Sequence, residues 1–298
     1  MNLAKAVRNG ITTSTRIPAP LVVSFIASLI VALALTIPVT MAMNAWVGHR
    51  LIARDLARDF DGLALLEPIV SASTVLQSDA TPSPEAMVSS RAAATTLLTM
   101  LTTALVAMLV APLPNIALGG GVLLTYVEGR FAWRRFLWGA WHWLLSFFML
   151  AIFFGVCAIL IVTLGAIVLA AVKAAQAPAL TTLALVLIGL AYAVLAMTFE
   201  YARIIAVVEG TRNFFQALGR AAVLVVRQPV RTLGLYVLMS AIGLALIPLY
   251  AKLAAPIIPF EWVLVAIAAQ QLFILARLWT RLARWASEAA LYRQWKEG

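Results

Sequence analysis

Of the chain's 298 residues, 63% are hydrophobic and 11% are charged, against roughly 25% charged in an ordinary soluble domain. A water-soluble core of this size cannot hide so much apolar surface, so a soluble enzyme or binding module is excluded and lipid becomes the expected solvent. The formal charge of +10 sits on Lys and Arg flanking apolar runs, so anionic lipid headgroups, not nucleic acid, are the expected partners.

Runs of about 20 apolar residues suit helices crossing ~30 Å of hydrocarbon. They predict six spans, near 19–43, 93–112, 143–171, 179–200, 233–251 and 260–278. The runs do not alternate as barrel strands would. The expected fold is all-α: a polytopic transmembrane helix bundle, one membrane domain over residues 1–298. Lys5, Arg8 and Arg16 precede the first run, and Ala42 and Ala45 form a weak small-residue site. Its apolar stretch exceeds the about 7–15 residues of a signal core, so it reads as an anchor.

Residues 44–92 form an outer loop. Within it Ile52, Leu56, Phe60 and Leu63 share one helical face, with Arg50, Arg54, Asp55, Arg58 and Asp59 around them. That helix lies on the outer membrane surface or the bundle, or docks an extracytoplasmic partner. A Ser/Thr/Pro stretch from Ser71 to Ser90 reads as loop. Next, Pro112 and Pro114 stop the second span, and Gly119, Gly120 and Gly121 let backbones approach closely. A turn with tight helix packing is expected here; a re-entrant or unwound stretch lining a polar cavity is the alternative.

Val127-Glu128-Gly129-Arg130 recurs as Val208-Glu209-Gly210-Thr211-Arg212, each time between a span and an aromatic, basic segment that leads into another span. This reads as a parallel repeat of two helical hairpins, a symmetry frequent in transporters and a common result of gene duplication. Interfacial helices are expected on the cytoplasmic side near 130–142 and 211–231. The first holds Trp133, Trp138, Trp141, His142 and Trp143, read as an interfacial aromatic belt or as a cage for a quinone or choline headgroup. In the second, Phe214, Phe215, Leu218, Ala222, Val225 and Val226 share an apolar face opposite Gln216, Arg220, Arg227 and Arg231. Thr211 or Asn213 can cap its start and Pro229 limits its end. Arg134, Arg135, Arg220, Arg227 and Arg231 are the candidate headgroup contacts.

The centres of the spans carry no ionisable group. Glu200 and Arg203, at the cytoplasmic end of the fourth span, are expected to pair with each other or with Glu128 or Arg130. With Glu209 these form a candidate cytoplasmic polar network, read as interfacial ion pairing or as a substrate gate. With the N-terminus inside, 16 Lys and Arg lie on the cytoplasmic side and 6 outside, and the sides carry net +11 and −1. That asymmetry places both termini in the cytoplasm.

No catalytic, cofactor or metal residues are assigned. The two histidines, His49 and His142, fall on opposite sides, and Cys157 is the one cysteine; a zinc site needs about four such ligands and a bis-His haem two. No phosphate loop with Lys and no GxSxG occurs.

Residues 114–121 (PNIALGGG), 131–136, Tyr201-Ala202-Arg203, 271–279 (QLFILARLW) and 286–292 (ASEAALY) resemble a family of uncharacterised six-span bacterial inner-membrane proteins. More loosely, the span pattern is similar to the membrane domain accompanying glycerophosphodiester phosphodiesterases, whose catalytic domain this sequence lacks. The resemblance implies a fold and a location in the inner membrane but no reaction. Three function classes follow. A non-enzymatic membrane subunit or scaffold, bound to lipids and possible protein partners of a membrane complex, comes first; a transporter or permease component second; a lipid-processing enzyme third.

Overall fold

The computed structural model describes residues 3–47, 112–174, 178–254 and 262–297, with isolated positions 98, 102, 106, 110 and 176. The predicted outer helix at 52–63 and most of the predicted second span lie outside the described residues. Those described form helices and turns, with no strand among them. The helices are α1 (Leu3–Arg16), α2 (Ala19–Val47), α3 (Leu113–Glu128), α4 (Trp133–His142), α5 (Leu144–Ala174), α6 (Pro178–Glu209), α7 (Phe214–Arg227), α8 (Pro229–Leu249) and α9 (Val263–Glu297). Pro248 removes a backbone donor near the end of α8, and a π-helical turn, Tyr250–Ala254, follows.

Among the described residues, four helical segments are long and apolar enough to cross a membrane: Ala19–Ile37, Leu144–Ala174, Pro178–Glu209 and Pro229–Lys252. Their outer surfaces settle why. Ile159 of α5 is 67% exposed and Val186 of α6 is 60% exposed, amid many large apolar neighbours in the same state. Water would not tolerate contiguous apolar surface on that scale, whereas lipid does. The described part of the predicted sixth span falls in α9, which is uncharged from Val263 to Ala276 before Arg277, Arg281, Arg284 and Glu288 enter. The start of that predicted span, residues 260 and 261, lies outside the described residues.

By contact, the chain divides into two compact units: Met1–Phe25 with Pro114–Gly298, and Ile26–Leu113. In the second, the described part of α2 exposes Ile30, Leu33 and Ile37. In the first, burial is concentrated at one end of the long helices. α5 buries Ser146, Phe147 and Leu150 near its start, α6 buries most of 197–207, and α9 most of 280–292. Residues 116–126 of α3 and parts of α7 complete this core. Further along, α5 and α6 still pack on each other, with Gly165 against Ile188.

Small residues set the close contacts. Ala6, Gly10 and Ser14 recur every fourth position of α1, are buried, and lie on α9, where a Cβ at Gly10 would come within 2.4 Å of the Ser287 nitrogen. The Gly119–Gly121 segment is neither a turn nor unwound. It is buried helix within α3, with Pro112 and Pro114 at its start. A Cβ at Gly120 would stand 2.4 Å from the Gly139 carbonyl oxygen, and one at Gly121 equally near that of Phe136. The glycines are kept in a helix, despite their poor propensity, because α3 and α4 cross there backbone to backbone.

Candidate functional site

The chain turns in the same way twice. α3 ends at Glu128 and Gly129 follows at φ +71°; α6 ends at Glu209 and Gly210 follows at φ +69°. This left-handed conformation after a helix is one that glycine adopts without a Cβ penalty. After each turn comes a short amphipathic helix, α4 or α7, and then a long apolar one, α5 or α8. Asn213 caps α7, its Oδ1 accepting from the Phe215 nitrogen at 3.1 Å and the Gln216 nitrogen at 3.3 Å. Pro229 opens α8, so α7 stops at Arg227 and Arg231 belongs to the first turn of α8, where it donates to Gln228.

The faces of α7 differ from the expectation. Ala217, Ala221, Leu224 and Val225 are buried, mainly toward α6, while Phe215, Ala222 and Val226 are exposed, Val226 at 77%. Ala217 and Ala221 let the helix lie close on the bundle beside Leu224 and Val225, while Phe215, Val223 and Val226 point away from it. Arg220 and Arg227 run along a third edge, so an apolar strip and a basic strip are both presented outward.

Where the α4–α5 elbow meets the 210–214 turn there is a cavity of about 860 Å³. Trp138 stacks on His142 at 4.3 Å between ring centres, and Trp143 meets it edge-on. The Arg212 guanidinium lies against the imidazole, Nη2 2.7 Å from Nδ1 and Nε 3.2 Å from Nε2. A neutral imidazole has one acceptor, so the tautomer selects which contact is the hydrogen bond. Burial first, then the Arg212 charge, holds the His142 pKa below the usual histidine value, so the ring is neutral at neutral pH. Ser146 donates to the Arg212 carbonyl at 2.5 Å and fixes the turn to α5. Leu145, Phe148, Met149, Phe214 and Trp141 complete apolar walls. With Trp143 buried and Trp138 stacked on His142, the tryptophans form no open cage, and a choline headgroup would place a second cation beside Arg212.

A second constellation ties α6, α8 and α9 together. Arg284 of α9 pairs with Glu200 of α6, donates to Ser240 of α8 at 2.9 Å, and lies 4.7 Å from the centre of the Tyr236 ring. Glu288, one turn further along α9, is 0% exposed and neither of its oxygens is hydrogen-bonded. Burial, with the Glu200 charge adding to it, raises the Glu288 pKa well above the usual carboxyl value, against the opposing pull of Arg284. The neutral acid is the favoured form.

The expected network of Glu128, Arg130, Glu200, Arg203 and Glu209 is therefore redistributed. Glu200 takes Arg284 in place of Arg203, because α9 brings that guanidinium across the bundle; Arg203 sits over the Phe147 ring at 5.8 Å. Glu128 pairs with Arg135 at 3.6 Å, a half-exposed contact, and Arg130 is exposed in the turn. Glu209 pairs with Arg220 and accepts from the Tyr292 hydroxyl at 2.5 Å. Arg293 donates to the Val127 carbonyl, one of those left over at the end of α3. Arg134, like Arg135, is exposed on α4.

Sequence reasoning passed over Arg212, Ser146, Arg284 and Glu288. Arg212 was findable as the second copy of Arg130. In α9, Arg281, Arg284, Glu288 and Tyr292 recur at three and four residues within a stretch of small apolar side chains, the signature of a buried helix face carrying charge. Among the described residues no cluster of His, Cys, Asp or Glu is fit to hold a metal. Comparison with protein-family models, curated proteins and solved structures gives no match in any of the three.

Proposed function

We propose that this chain is a non-enzymatic subunit or scaffold of the bacterial inner membrane, crossing it six times with both termini and the packed end in the cytoplasm. The single observation that carries this reading is α7. It lies on the bundle by small residues while turning an apolar strip and an arginine strip outward, the pattern of a helix at the headgroup level. α4, with exposed Trp133, Trp138, Trp141, Arg134 and Arg135, has the same character at the matching place after Gly129. Anionic lipids fit the basic edges, and a partner protein fits the exposed flanks.

A spin label at Val226, introduced as Val226→Cys in a Cys157→Ser background, tests the placement of α7. Lipid-soluble oxygen should reach it in reconstituted bilayers better than an aqueous nickel chelate does. The reverse order would refute the membrane-surface helix. Mild-detergent purification should also bring down a fixed companion, and a bare monomer would count against the scaffold.

The twice-repeated helix, left-handed glycine, amphipathic helix and apolar helix favours a second reading, a transporter component built from two parallel hairpins. Substrate flux lost in Gly120→Leu protein that still inserts would support it; unaffected flux would remove it.

A further inference from the structure

The cavity at the α4–α5 elbow is more specific than a basic surface. Arg212 reaches it held from two sides, its guanidinium against His142 and its carbonyl by Ser146. A guanidinium has five N–H donors, and two contacts to one imidazole leave others for a ligand. Among the described residues that line the cavity there is no Asp or Glu and His142 is uncharged, so the formal charge they present is that of Arg212. The walls are apolar and run without interruption into the outward face of α5, where Leu145, Phe148, Met149 and Ile152 are all exposed. Trp141, 79% exposed, stands at the rim.

We propose that this cavity binds one anionic phospholipid, its phosphate on Arg212 and its acyl chains along the exposed face of α5. The proposal rests on the reading that α4 and α7 lie at the membrane surface, and it adds a defined stoichiometry and a defined residue. A guanidinium fits a phosphodiester in a two-pronged contact that an ammonium does not reproduce. The volume lies within the range of about 300–1,000 Å³ usual for ligand sites, room for a headgroup and the upper part of its chains. The apolar walls assign the occupant to the bilayer rather than to the aqueous phase, since a soluble phosphate would leave them wet.

The test is native mass spectrometry of the full chain, released from nanodiscs containing equal phosphatidylglycerol and phosphatidylcholine. The expected result is one retained phosphatidylglycerol, not displaced by millimolar inorganic phosphate. Arg212→Gln, which keeps the backbone carbonyl that Ser146 holds, should weaken retention at least about tenfold, as loss of a charge-assisted contact does. Trp141→Ala, at an exposed rim position that does not threaten folding, should weaken it too. Retention of several anionic lipids, insensitive to Arg212→Gln but lowered by Arg134→Gln with Arg220→Gln, would overturn the site while leaving the surface helices intact. No preference for phosphatidylglycerol in the unaltered chain would overturn both. Displacement by inorganic phosphate would overturn the lipid as occupant.

Discussion

A methyl group at Gly120 would press on the carbonyl oxygen of Gly139, 2.4 Å away, and both atoms belong to rigid helix backbone. Gly→Ala inside a helix ordinarily gains about 1 kcal/mol in propensity. Here overpacking costs about 1–3 kcal/mol, so a net loss is expected for Gly120→Ala. Gly189→Ala, where nothing lies within 4 Å of the added atom, is the matched control and should be neutral or stabilising. Thermal unfolding of the two variants in one detergent checks the pair. Arg284 supplies a second case. Removing it leaves the partly buried Glu200 without its ion-pair partner, so Arg284→Ala should cost about 3 kcal/mol, and Glu200→Gln combined with Arg284→Met less than that. Glu288 then fixes a pH dependence. It lies near Arg284 of its own helix and near Glu200 and Tyr201 of α6, with Arg203, Arg281 and Tyr236 in the surrounding charge cluster. Its folded pKa is raised, so the folded chain binds more protons than the unfolded one and stability falls as pH rises past the ordinary carboxyl value. Glu288→Gln should flatten that fall; parallel unfolding profiles from pH 5 to 9 would show that Glu288 is not its source.

At the scale of elements, α1 and α7 show what periodicity reveals and what it hides. The arginine edge of α7 and its stop before Pro229 are legible, because charge and proline act locally. Its buried face is not: Ala217 and Ala221 are too small to stand out beside Phe215 and Val226, and which side meets α6 is a tertiary fact. α1 carries the same lesson, since its Ala6, Gly10 and Ser14 stripe gains meaning only when α9 is laid on it. Gly10→Val should therefore release α1. Trypsin should then cut after Arg8 about tenfold faster or more, the factor given by a clash of roughly 1.4 kcal/mol. An unchanged rate would show that α1 is held by its flanking residues instead. Within the polar site, Glu200 and Arg203 were visible as charges at a span end, but Glu200's partner comes from a helix 84 residues further on and Arg203's from α5.

For the molecule as a whole, apolar length located α5, α6 and α8 well, because a lipid-facing helix must be apolar on every side. In α9 the uncharged first half gives way to charged residues from Arg277 on, and the helix continues to Glu297 as part of the packed end, which apolar length does not reveal. The two left-handed glycines stand at the matching Val-Glu-Gly places legible in the sequence, whereas the cavity at Arg212 draws on α4, α5 and the 210–214 turn and has no linear motif. Packing and positive charge gather at the same ends of the long helices, the end that the proposed orientation turns toward the cytoplasm. The most direct test uses single cysteines at Gln176 and Gly219 in a Cys157→Ser background. Gly219 has open space around it, and Gln176 lies in the connection between α5 and α6. In spheroplasts a membrane-impermeant maleimide should label Gln176→Cys directly and Gly219→Cys only after the membrane is opened. Labelling of Gly219→Cys in sealed spheroplasts, with Gln176→Cys protected, would contradict the orientation and every role assigned to the packed end.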